Sequence, residues 1–200
     1  MAAPFNLLKS LLVAVVVVLA VASSAGAQGS RRVHVRTWDA PSQRLVQYGL
    51  RQSALARQLA ARLDGSDVYV YVAQDCDLPA RLMGRLSFMA AAGGVRYLSI
   101  HVSCTASVLV QVAALGHELR HAVEIADDPT VVDEASLVVS YQRIGFQSHE
   151  GVTSMASYDT QAAIDAGAQV WREISGHSSV RFEHASLAGA EVDEHRGRAD

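Results

Sequence analysis

A long helical pattern over residues 106–126 is the feature that most constrains the fold, because each face of the helix needs a different environment. One stripe of the pattern is apolar at three- and four-residue spacing, which is typical of a helix packed on a core. That stripe consists of Val108, Val112, Leu115, Leu119, Ala122 and Ala126. A second stripe places small residues beside His117, His121 and Glu124. The pattern therefore predicts a core on one side of the helix and open space above the two imidazoles on the other.

Alternating hydrophobic residues predict about four strands, all of them before the long helix. The first covers residues 33–38 and the second residues 68–72, where valines alternate with tyrosines. Residues 82–90 alternate in the same way, and Gly93-Gly94 then turns the chain into a return strand over 95–103, which is typical of a hairpin. The side chains of the return strand expected to face the core are Leu98, Ile100 and Val102.

Helical spacing on either side of these segments predicts the rest of the fold. One surface helix is expected over residues 41–65, where it would cover a face of the sheet. After the long helix, a second helix takes Thr130 as its N-cap and Asp133 at N3, a pair similar to a capping box, and ends at Gly145. Residues 146–155 are polar and contain glycine, so we expect a loop there.

The last predicted helix takes Ser157 as its N-cap and runs to about Ile174. Together these elements predict a small α+β domain over residues 28–184. Its twisted sheet of about four strands, hairpin included, packs against an N-terminal helix and the long helix, which two further helices follow. Residues 185–200 are predicted to form a disordered tail.

Residues 1–27 have the three zones of a secretory signal peptide, with Lys9 before an apolar run and small residues at the end. The apolar run is shorter than the about 20 residues that a membrane-spanning helix needs. We therefore expect export to the periplasm or exterior, without stable membrane insertion after cleavage. The remaining chain would carry 16 basic and 20 acidic side chains, a balance that argues against a nucleic-acid partner held by its phosphates.

The two cysteines of the chain, Cys76 and Cys104, are expected to form a disulfide, because exported proteins with two thiols usually pair them. The closed loop of about 29 residues would stabilise the fold by about 3.5 kcal/mol in the chain-entropy model. The alternative is a pair of buried free thiols. Neither cysteine has the spacing or the neighbours of a catalytic thiol.

The long helix contains the sequence GHELRHA over residues 116–122, which includes an HExxH motif. Four residues advance a helix by about 400°, so His117 and His121 lie one turn apart on the same face and can bind one metal ion. Glu118 lies beside them and is the candidate general base that takes a proton from a metal-activated water. The alternative is two histidines on a surface helix without a metal.

A catalytic zinc ion normally has three protein ligands, so the two histidines need a third. The first candidate is Asp159, expected in the first turn of the last helix, and Glu134 on the inward face of the preceding helix is the alternative. Glu124 follows His121 by three positions and is better placed to orient an imidazole than to bind the metal. Weaker candidates, expected in loops or the tail, are His149, Glu150, His177 and His184.

The order of strand, hairpin, metal-binding helix and acidic helix resembles that of the zincin metallopeptidases, and among them the gluzincin type. The resemblance covers roughly residues 68–174 and rests on His117, Glu118 and His121. It implies a Zn²⁺ cofactor, hydrolysis of peptide bonds, and addition of the substrate backbone to an edge strand, here residues 95–103. The small size of the chain favours a peptide or unfolded protein as the substrate.

Two other functions stay open at this point. One is a catalytically inactive metal-site protein of the cell envelope that binds peptides or a partner, and the other is a structural domain without a metal. The donor that would stabilise an oxyanion also stays open. Its candidates are Tyr141, Tyr158, His149 and Arg143.

Overall fold

The computed structural model describes residues 33–148 and 157–190, and within them all side chains except those of Ser148, Ser157 and residues 177–190. The predicted signal peptide and the candidates His149 and Glu150 lie outside this part of the chain. Among the described helices, none combines the length and the apolar character that crossing a bilayer requires. The described fold is a mixture of helices and strands, which confirms the predicted α+β class.

The central sheet has four strands in the order β1-β2-β4-β3. They are β1 (Val35–Thr37), β2 (Val68–Asp75), β3 (Gly84–Ala92) and β4 (Val95–Ser103). β1, β2 and β4 run parallel, whereas β3 is antiparallel to β4. The predicted hairpin is confirmed, and its turn residues Gly93 and Gly94 have φ angles of 59° and 75°. Glycine suits this turn because both central residues need a positive φ.

The prediction that residues 95–103 form the edge strand is wrong. β4 pairs with β2 along its whole length, and its hairpin partner β3 therefore takes the outer position. The predicted facing of β4 is confirmed, since Leu98, Ile100 and Val102 are fully buried. The free edge that could accept another strand on this side of the sheet belongs to β3.

The predicted helix over residues 41–65 is two helices, α1 (Ala40–Gln52) and α2 (Ala54–Asp64). Ser53 interrupts them with an extended backbone, at φ −112° and ψ 126°. Its hydroxyl caps α2 by accepting the N–H of Ala56 at 3.0 Å, and it donates to the carboxylate of Glu173 at 2.5 Å. A serine with two such partners favours a cap over a continuous helix.

The long helix is α3 (Val108–Asp127), and α4 (Glu134–Ile144) follows it. The predicted N-cap of α4 is wrong: Asp133 caps the helix, and Ser136 at N3 completes a capping box. Thr130 is engaged elsewhere, because its hydroxyl donates to Asp128 at 2.6 Å. The predicted end of α4 at Gly145 is confirmed.

The prediction of a loop over residues 146–155 is wrong at its start, where the chain forms a short strand. β5 (Phe146–Ser148) pairs antiparallel with β6 (Ser157–Asp159), and the residues between them lie outside the described part.

The last helix, α5 (Gln161–Ala190), is capped by Thr160, whose hydroxyl accepts the N–H of Ala163 at 3.1 Å. The prediction of Ser157 as cap is wrong because Ser157 belongs to β6. The helix also continues past Ile174 to Ala190, and residues 191–200 are not described.

α3 lies between the sheet and α5, and small residues set its distance from α5. A Cβ added to Gly116 would lie 2.5 Å from Cγ2 of Val170, and one added to Gly167 would lie 3.2 Å from Cβ of His117. α5 therefore packs closely against α3 beside His117, because glycines let the two helices approach closely. The predicted core stripe also fails at its start, since Val108 is 54% exposed.

Two further contacts fix the ends of α3. The predicted disulfide between Cys76 and Cys104 is confirmed and joins the end of β2 to the segment just before α3, with 4.9 Å between the Cα atoms.

At the other end of α3, buried Arg96 forms two hydrogen bonds of 2.7 Å with Asp67. The same guanidinium donates to four carbonyl groups around the helix terminus, those of Ile125, Ala126, Asp128 and Val131.

Candidate metal centre

Three side chains predicted as metal ligands meet between α3 and the start of α5. Nε2 of His117 lies 3.1 Å from Nε2 of His121, and each of these atoms lies 3.4 Å from Oδ1 of Asp159. The three atoms form a nearly equilateral triangle, and one metal ion could be held by all of them. The side chains of His117 and Asp159 are 23% and 22% exposed, so the site is open to solvent on their side.

The second ring nitrogen of His121 faces an oxygen acceptor. Nδ1 of His121 lies 3.0 Å from Oε2 of Glu124, and the other oxygen of Glu124 accepts the hydroxyl of Thr160 at 2.8 Å. The backbone of Ala163 lies close enough to His117 to favour its protonated form. The contact with Glu124 favours the tautomer of His121 whose Nε2 is free to bind an ion. Glu124 therefore lies within hydrogen-bond distance of His121, as a role in orienting that imidazole requires.

Asp159 reaches the histidines from a strand rather than from a helix. It ends β6, and the next residue caps α5, so its backbone is held on both sides. A Cβ on Gly145 would lie 2.3 Å from the carbonyl oxygen of Asp159. The end of α4 can therefore lie against β6 only because residue 145 has no side chain.

The electrostatics of the triangle favour a positive charge. Burial lowers the pKa of His121, but the contacts with Asp159 and Glu124 outweigh burial and raise that pKa to about 9. Burial and the neighbouring His121 hold the pKa of His117 below its ordinary value. The pKa of Asp159 is lowered because its contacts with the two histidines outweigh its partial burial. The pocket thus stabilises one positive charge among two carboxylates, a role that a cation can also fill.

Glu118 lies beside the triangle and faces the edge strand β3. Its side chain is 6% exposed, and burial raises its pKa to about 7. The backbone amide of Leu86 in β3 opposes this rise by favouring the ionised carboxylate. Gly84 of the same strand adjoins the carboxyl group. A carboxyl group with a pKa near neutrality can both accept and return a proton.

Tyr141 of α4 packs its ring edge-on against His121, with 5.2 Å between the ring centroids. Its hydroxyl is buried and has no hydrogen-bond partner among the described residues. Burial, together with the nearby carboxylates of Glu124, Glu118 and Asp159, raises its pKa well above 10. The phenol therefore stays neutral and can donate a hydrogen bond. Because a buried hydroxyl without a partner lowers the stability of the fold, its burial here needs an explanation.

The other predicted candidates have different surroundings. Glu134 is exposed at the first position of α4 and is not among the side chains that meet at the triangle. The hydroxyl of Tyr158 accepts a hydrogen bond from Gln142 at 3.1 Å, and Arg143 pairs with Asp128 at 2.6 Å. Helix α5 includes His177 and His184, but their side chains are not described.

Sequence reasoning missed Thr160, Gly84 and Gly145. Thr160 could have been found from its place next to Asp159 and from its preference for helix caps. The two glycines carry no comparable signal, because their role depends on which distant segment approaches them.

The chain was compared with known proteins. No family model matches the chain, and no curated protein or solved structure matches it.

Proposed function

We propose that this protein is a zinc-dependent peptidase that acts outside the cytoplasm. The observation that carries the proposal is the triangle formed by His117, His121 and Asp159. In a tetrahedral site with zinc–ligand bonds of about 2.05 Å, ligand atoms lie about 3.3 Å apart. The observed separations of 3.1 to 3.4 Å agree with that value. Two imidazoles and a carboxylate, with a position left open to solvent, are a donor set typical of catalytic zinc.

A bound zinc ion would supply Lewis acidity and would lower the pKa of a coordinated water toward about 7. The chain supplies the proton transfers. Glu118 is the single carboxylate of the motif and lies beside the triangle, and its pKa of about 7 suits a group that takes a proton and later gives it to the leaving amine. Glu124 keeps the imidazole of His121 in one orientation during these transfers.

Tyr141 is the candidate in this mechanism for the donor that stabilises an oxyanion. Its neutral hydroxyl is buried next to His121 and has no other described acceptor. A fixed donor of this kind is worth most where charge develops in a site of low dielectric constant. Of the four residues proposed from the sequence, Tyr158 and Arg143 have other partners.

An extended peptide is the substrate that the surroundings of the site favour. β3 is an edge strand, and Met83 accepts the N–H of Ser103 at 3.0 Å, so the backbone groups of the next residue, Gly84, point to the free side. Strand addition at this edge would bring a peptide bond past Glu118. The disulfide is compatible with an exported protein, and we propose the periplasm or the exterior as its location.

The peptidase proposal is tested by a Glu118→Gln variant of the full chain. We expect it to retain zinc and peptide binding and to lose cleavage of unfolded protein substrates by at least about a hundredfold, as removal of a general base would do. The matched control is Glu134→Gln, an exposed carboxylate in α4, which should cleave like the wild type. Equal cleavage by Glu118→Gln and wild type would contradict the mechanism. Peptide binding by both proteins without cleavage by either would favour the inactive peptide-binding alternative.

A further inference from the structure

Gly84, the first residue of the edge strand, leaves a slot that the carboxyl end of Glu118 fills. A Cβ on this glycine would lie 2.7 Å from Oε1 of Glu118, 2.9 Å from its Cγ and 3.2 Å from its Cδ. These separations are shorter than van der Waals contacts between such atoms. Any other residue at position 84 would displace the carboxyl group from its place.

The backbone of Gly84 does not itself demand glycine. Among the described residues, positive φ angles occur only at Gly93 and Gly94. Gly84 pairs with Val102 in ordinary antiparallel register, where glycine costs stability relative to a residue with a side chain. The absence of a side chain at this position is therefore explained by the space that Glu118 occupies.

We propose that Gly84 is a positioning residue, which sets the place of the Glu118 carboxylate between the edge strand and the candidate metal ligands. The proposal rests on the proposed function, since it assigns Glu118 the proton transfers. β3 is held by its pairing with β4 on one side, so the slot has a rigid wall. Glu118 has three rotatable side-chain bonds, and without this wall the carboxylate could take other rotamers.

A Gly84→Ala variant tests the positioning role in the reaction. We expect kcat for peptide cleavage to fall about tenfold or more, whereas KM and the zinc content stay within about twofold, because ligands and peptide edge are unchanged. The matched control is Gly65→Ala, whose added Cβ would meet only the carbonyl of Arg62 at an ordinary 3.6 Å. Wild-type kcat in Gly84→Ala, or an equal loss in Gly65→Ala, would overturn the proposal.

A second measurement tests the slot without relying on catalysis. Gly84→Ala should lower Tm by about 2–4 °C in the wild-type background, the shift that a conflict of about 1 kcal/mol gives in a chain of this size. In a Glu118→Ala background the same change should leave Tm unaltered or raise it, because the space is vacant. The change in strand propensity from glycine to alanine is the same in both backgrounds, so it cancels when the two Tm shifts are compared. Equal Tm shifts in the two backgrounds would contradict the proposal.

The two measurements separate failure of this inference from failure of the peptidase proposal. If the wild type cleaves no peptide but the Tm shift depends on Glu118, Gly84 positions the carboxylate and the peptidase function is wrong. If the wild type cleaves peptides and the Tm shift is independent of Glu118, the positioning role of Gly84 is wrong and the function stands.

Discussion

At the residue scale, the candidate ligands depend on neighbours that hold them. His117, Glu118 and His121 could be predicted from the sequence because helical periodicity is local, and four residues return the chain to the same face. Asp159 could be proposed only as one of several carboxylates. Its distance of 3.4 Å from both imidazoles is set by the pairing of β5 with β6, which no local pattern reveals.

Glu124 provides the first prediction at this scale. A Glu124→Gln variant should bind zinc about 10–100-fold more weakly, because the amide holds His121 less firmly and does not favour the required tautomer. Competition with a chromophoric chelator would measure the affinity. The control is Glu134→Gln, an exposed carboxylate in the next helix. Unchanged affinity in Glu124→Gln would show that His121 does not need this partner.

Tyr141 provides the second prediction. Tyr141→Phe should reduce kcat about 10–1000-fold with zinc content unchanged, since it removes the hydroxyl that we propose as the oxyanion donor. The free energy of unfolding should stay the same or rise, because the buried hydroxyl has no described partner to lose. Tyr158→Phe is the matched control, as its hydroxyl bonds Gln142 instead. A loss of stability in Tyr141→Phe without a change in kcat would assign the phenol a structural role.

At the scale of the elements, two of the differences from the sequence predictions come from strand pairing. Propensity and alternation located most helices and strands, but the pairing partners decided their ends and neighbours. Residues 95–103 form a strand as predicted, yet β2 occupies the side that was expected to be free. Ser157 is a good helix cap by type, but pairing with β5 takes it into a strand. Tertiary contacts override local preference at such positions.

The connection between α3 and α4 gives a prediction with a pH dependence. Asp128 accepts hydrogen bonds from Thr130, Ser140 and Arg143, and the hydrogen bonds from Thr130 and Ser140 contribute most to lowering its pKa from 3.8 to about 2. Asp128→Asn should therefore lower the free energy of unfolding by about 1–3 kcal/mol at pH 7. Urea unfolding of both proteins would measure the difference.

The sign of the pH effect follows from the lowered pKa of Asp128. The stabilisation is complete above the unfolded pKa of 3.8 and is lost as the pH falls through about 2, so wild type and Asp128→Asn should converge over that interval. Asp127→Asn is the control, because the Arg62–Asp127 pair is exposed and should contribute little. A difference between wild type and Asp128→Asn that is constant down to pH 2 would contradict this assignment.

At the scale of the whole molecule, the fold brings distant segments around one helix. α3 carries two of the candidate ligands, the sheet supports it from one side, and the segment leading into α5 supplies the third ligand from the other. The disulfide before α3 and the Arg96 cluster after it limit movement along the helix axis. Because the ligands come from separate elements, folding and metal binding should be coupled.

Elemental analysis of the full-length protein, purified without added zinc, tests the central claim most directly. The account predicts about one zinc ion per chain in the wild type and in Glu134→Gln, and a large loss of zinc in Asp159→Ala. A folded wild type that contains no stoichiometric metal, or an Asp159→Ala variant that keeps all of it, would contradict the account.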